Sequence, residues 1–114
     1  MAKTDLAVEE LADRLRNHFG GDPSIREQRM FGGIAFMRNG NMVVGPMKGG
    51  SLLVRTGKDG YEAALTREGA AAMDMGGRAM SGFVVVSGDV LEDDETLAEW
   101  IELAEAFVKT LPPK

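Results

Sequence analysis

The chain has 114 residues, 44% of them apolar, which is enough for one domain with a core of its own. It has no cysteine, which excludes disulfides and thiolate chemistry, and a net charge of −5, which argues against coating nucleic acid through an overall positive field. No apolar run approaches the roughly 20 residues of a membrane span, and Met1 to Asp5 lack the apolar core of a signal peptide, so a cytoplasmic protein without membrane contact is expected.

Thr4 or Asp5 caps a first helix, in which Val8, Leu11, Ala12, Leu15 and Phe19 recur at helical spacing. Gly20-Gly21 ends it, because glycine readily takes the left-handed C-terminal position. His18, the only histidine, lies in the last turn, where the helix dipole favours an imidazolium. With no second ligand at metal spacing, it reads as a helix-end residue rather than as a base or ligand.

A hairpin follows. Asn39-Gly40 stands between two apolar runs, and both reach the φ > 0 that a type I′ turn demands. A two-residue loop sets Arg38 opposite Asn41, Met37 opposite Met42, Phe36 opposite Val43 and Ala35 opposite Val44. Alternation then puts Ile34, Phe36 and Val43 on one face, and Ala35, Met37, Met42 and Val44 on the other. Both faces are apolar, so the hairpin requires cover on two sides, from helices, a partner chain or both.

Pro46 cannot donate a ladder hydrogen bond and marks a strand end; Lys48-Gly49-Gly50 turns the chain. Ser51 to Thr56 is a third strand, broken by Gly57. Tyr61, Ala64 and Leu65 give a short helix that Glu68-Gly69 stops. Met73 and Met75 alternate with Ala72 and Asp74 in a short fourth strand. Gly76-Gly77-Arg78 is a turn, and Phe83 to Val86, β-branched and aromatic, is a fifth strand. Asp93 or Asp94 caps the final helix, whose buried stripe is Leu97, Trp100, Ile101, Ala104, Val108 and Leu111. The acidity belongs to this end: residues 21–80 hold eight Lys and Arg against six Asp and Glu, and residues 81–114 hold two against eight. An acidic helix face is read as a solvated face.

Arg29-Met30-Phe31-Gly32-Gly33 followed by a strand, Asn39-Gly40 and a second strand resembles the N-terminal domain of the TfoX/Sxy family, bacterial proteins linked to the regulation of natural competence. The likeness continues through Leu53-Val54-Arg55, Met75-Gly76-Gly77-Arg78-Ala79-Met80, Gly82-Phe83-Val84-Val85-Val86 and the Leu97 to Trp100 helix, so it covers nearly the whole chain. The resemblance implies an α+β domain with one five-stranded antiparallel sheet in α-β-β-β-α-β-β-α order. It also implies a regulatory protein-interaction domain with a protein partner such as a transcription regulator. Full-length competence regulators of this family carry a second, C-terminal domain; a single domain over residues 1–114, without that second one, is expected here.

Catalytic patterns are missing. Gly57-Lys58-Asp59 lacks the upstream glycine and the hydroxyl of a phosphate-binding loop, and there is no G-x-G-x-x-G or G-x-S-x-G. One histidine and no cysteine disfavour zinc. No enzyme, cofactor or metal site is expected.

The candidate interaction set is the family motif: Arg29, Met30, Phe31, Gly32, Gly33, Asn39, Gly40, Met42, Gly76, Gly77 and Arg78. Gly32-Gly33 inside a strand pattern suggests a bulge or a close backbone approach. An alternative reading is a small ligand-binding or catalytic domain for an anionic metabolite, with Gly76-Gly77-Arg78 as an anion-binding nest used together with Arg29. Arg26, Arg29, Arg38, Arg55 and Arg78 read as scattered surface arginines rather than as a nucleic-acid patch. Seven internal methionines suit an adaptable partner face, and a homodimer through Ala35, Met37, Met42 and Val44 is expected.

Overall fold

Helical and alternating apolar periods meet in one antiparallel sheet with helices packed on it. The computed structural model describes residues 6–30, 33–75 and 77–114, with the side chains of Met30, Met75 and Arg78 outside the description. The expected cap at Thr4 or Asp5 lies outside the described residues, as do Phe31, Gly32 and Gly76. The elements run α1 (Leu6–Phe19), β1 (Ile25–Met30), β2 (Gly33–Arg38), β3 (Asn41–Pro46), a 3₁₀ turn (Lys48–Gly50), β4 (Leu52–Arg55), α2 (Gly57–Leu65), β5 (Ala70–Met75), β6 (Arg78–Val86), α3 (Gly88–Leu91) and α4 (Asp94–Val108). The sheet order is β1-β2-β3-β4-β6-β5, with every neighbouring pair antiparallel.

The α+β class and the single antiparallel sheet are as expected, but the sheet has six strands, not five. The added strand is β1, which pairs with β2 from Ile25 opposite Arg38 to Met30 opposite Gly33. Its interior, Arg26-Glu27-Gln28-Arg29, is polar and exposed throughout, so no apolar alternation marks it. Backbone pairing holds it, with an ion pair in which Arg16 Nε and Nη2 of α1 donate to the Glu27 carboxylate at 2.6 and 2.7 Å. A short α3, capped by Ser87 Oγ accepting from the Asp89 amide, also has no sequence signal of its own.

The Asn39-Gly40 turn forms as expected, with φ of 52° and 86°, and joins Arg38 to Asn41 and Met37 to Met42. Beyond that pair the register shifts, and Phe36 faces Val44 rather than Val43. Val43 is thus the extra residue of a β-bulge, which re-aims the side chains after it. The bulge changes which side chains share a face. Val44 lies in one row with Val54 and Val84, on the side that the helices cover, and not beside Met42.

That covered side is the core. Val8, Leu11 and Leu15 of α1, Ala64 of α2, Leu91 of α3, and Leu97, Trp100, Ile101 and Ala104 of α4 pack with Ile34, Phe36, Val44, Leu52, Val54, Val84 and Val86. Trp100 and Ile101 are almost fully buried. The Phe19 ring stacks on Phe36 at 5.8 Å. Asp93 caps α4, its carboxylate accepting from the Thr96 amide at 3.2 Å and the Thr96 hydroxyl at 2.8 Å. The last residues strap the hairpin turn: Asn41, buried, donates to the Pro112 carbonyl at 3.0 Å, and the Lys114 amide donates to the Asn39 carbonyl at 2.8 Å.

Candidate functional site: the open face of the sheet

Between the strand residues that face the core stand those that face away from it, and these are apolar too. Ala35, Met42, Leu53, Met73, Met80 and Phe83 line a groove of about 300 Å3 on this face. Gly33 and Gly45 form its floor. A methyl at Gly33 would overlap the Pro46 carbonyl oxygen, and one at Gly45 would come within 3.2 Å of the Met42 Cε. The glycine reading of a close backbone approach therefore holds at Gly33. Met42, Leu53, Met73, Met80 and Phe83 are half-buried, in contrast with the nearly complete burial of Val44, Val54 and Val84. Unbranched thioethers on such a face conform to the shape laid on them.

The groove is built from non-local pieces. Leu53 faces Val85 across β4 and β6, and Met73 sits in β5 where the pairing with β6 shifts between Ala72 and Asp74. Gly82, with φ of 96°, lies in the part of β6 that this shift spans. The alternation of β6 is reset there, which sets Met80 and Phe83 on one face although they are three positions apart.

The motif residues separate into different places. Met42 and Gly33 belong to the groove. Asn39 and Gly40 form the turn and contact Lys114. Arg29 is on edge strand β1, exposed, with its guanidinium 3.1 Å from the Glu9 carboxylate of α1. Gly77, with φ of 85°, and Arg78 belong to the hairpin that joins β5 to β6, where Met75 pairs with Arg78. Four strand steps separate β1 from β6, roughly 19 Å at the usual strand spacing, so Arg29 and Arg78 are not brought together. Met30 closes β1 opposite Gly33.

Most arginines are committed to ion pairs. Arg38 is the clearest case: its guanidinium grips Glu105 of α4 through two bonds of 2.6 Å and Asp22 at 2.9 Å, with only 13% of its side chain exposed. Those carboxylates, Glu105 first, push its pKa further above the ordinary arginine value. The Asp22 carboxyl is held below its usual range, first by the Ser24 amide and then by Arg38. The Glu27 carboxyl is held down by Arg16. Arg38 thus clamps the hairpin to the last helix, a role invisible in a residue read as one more surface cation. Arg55 differs: its guanidinium carbon lies over the rings of Phe83 and Phe107, 5.7 and 5.5 Å from their centres.

His18 is exposed, its ring edge-on to Phe19 at 5.5 Å. Among the described residues no three His, Asp or Glu side chains are grouped to hold a metal ion, and no helix is long and apolar enough to cross a membrane.

The family model of the TfoX N-terminal domain matches residues 17–108. No curated protein and no solved structure matches the chain.

Proposed function

The chain belongs to the TfoX N-terminal domain family, and on that premise we propose that it is a competence-related regulatory domain that works by binding another protein through the open face of its sheet. The observation that carries the reading is the methionine-lined groove on the side of the sheet opposite the helices. An apolar patch left open on one side of a sheet marks an interaction surface more often than it marks a monomer's ordinary exterior. The partner is a transcription regulator or a second copy of the chain. An anionic-metabolite reading has less support, since Arg29 is engaged by Glu9 and stands four strands from Arg78.

Light scattering after size exclusion separates the two partners. A mass near 12.2 kDa at every concentration gives the face to another protein. A rise with concentration that Met42→Glu abolishes gives it to a second copy. In cells, Met80→Glu at wild-type abundance is expected to lose the response of a competence-gene reporter. A full response from a folded Met80→Glu variant contradicts the proposal.

A further inference from the structure

The groove has a charged end. Phe83 lines both the apolar groove and a second pocket of about 460 Å3, whose other walls are Arg55, Gly57, Lys58, Asp59, Ser81, Gly82 and Phe107. A segment lying along the methionines therefore runs past Phe83 onto Arg55.

Among the arginines whose side chains are described, Arg26 and Arg55 meet no carboxylate. Arg14, Arg16, Arg29, Arg38 and Arg67 each meet a carboxylate. Arg55, half-buried, meets two aromatic rings instead. Rings hold a guanidinium by its flat faces and fix its orientation, while its N–H donors lie along the edge. That edge is the part that forms two parallel hydrogen bonds to a carboxylate. Lys58, exposed, adds a second positive charge; Asp59 is the acid in the same wall. In a chain of net charge −5, a guanidinium that meets no carboxylate among the described residues and stands beside an apolar groove selects for a negative group on an apolar body.

We propose that the groove takes an extended apolar segment of a partner protein carrying one Asp or Glu side chain, which Arg55 anchors at the Phe83 end. This rests on the docking reading above and names the partner's chemistry. The groove supplies area, and the Arg55 edge fixes direction and register, because only one end of the bound segment meets a cation.

The test is selection of short random peptides displayed on phage against the full chain. The expected result is a pool with apolar residues at alternate positions and an acid at one end. Replacing that acid by its amide in the synthetic peptide should weaken binding, read by fluorescence anisotropy, by roughly tenfold or more, the usual loss for a hydrogen-bonded charge. Arg55→Gln, checked for native Trp100 emission, should give the same loss and make acid and amide peptides equal. The amide peptide keeps the test decisive even if Arg55→Gln fails to fold. An apolar pool with no acidic position, or an amide that binds as well as the acid, overturns this inference and leaves the docking reading intact. No enrichment, or a pool that still binds Met80→Glu, overturns both.

Discussion

The two faces of the sheet are made from the same strands and have opposite fates. On one, Ile34, Phe36, Val44, Val54, Val84 and Val86 disappear under four helices. On the other, Met42, Leu53, Met73, Met80 and Phe83 remain half-buried around a groove. Strands with a single apolar face need one layer of cover. These have two apolar faces, while α1, α2, α3 and α4 all contribute buried residues to the same core. The difference teaches where stability ends and recognition begins: burial that folds the chain is complete on the helix side, and apolar area on the other side is held in reserve.

The comparison breaks most visibly at Trp100. Trp100→Ala empties the largest buried side chain on the covered face and should cost about 3–5 kcal/mol in a urea titration. A loss well under that figure would mean the covered face is not the core. Arg38→Ala should follow, at about 3 kcal/mol, because it strands the mostly buried Glu105 carboxylate without its partner. Glu105→Gln, which keeps the shape, should lose less. Gly40→Val is next, at more than about 1 kcal/mol, since φ at this position is 86° and a side chain would also meet Lys114. An unchanged melting temperature would refute the two-residue turn.

A smaller effect comes from pH. The folded-state pKa values of Asp22 and Glu27 lie below their ordinary 3.8 and 4.5. Their stabilisation is therefore fully present above those ordinary values and fades as pH falls through the depressed ones. The melting temperature should drop below about pH 4.5, and Glu27→Gln should flatten part of that drop. The smallest effect sharpens the contrast. Met80→Glu, at a half-buried position on the open face, should cost about 1 kcal/mol or less, well under the loss at Trp100. A loss approaching that of Trp100→Ala would make the groove part of the core.

Much of this was legible in the residues. Asn39-Gly40 announced its turn because few other pairs reach that backbone region cheaply, and Asp93-Asp94 announced a cap that falls to Asp93. β1 was not legible, because Arg26 to Arg29 offer no apolar alternation and the strand is held by its neighbour and by α1. The bulge was hidden because Val43 and Val44 are the same residue, so a period of two cannot tell which one is extra. The second apolar face showed in the Met37 and Met42 pair. Its true extent depended on β6 lying between β4 and β5, a non-local order that no local pattern encodes. The clamp at Arg38 was hidden for the same reason, its partner Glu105 lying 67 positions away.

The central claim is that the methionine-lined groove stays open to solvent in the folded protomer. Methyl NMR with a soluble paramagnetic probe tests it most directly, at a concentration where light scattering reads 12.2 kDa. The methyl signals of Met42, Met73 and Met80 should broaden strongly while those of Val44, Val54 and Val84 stay sharp. Methionine signals as well protected as the valines would mean that the face is already covered, and would contradict the account.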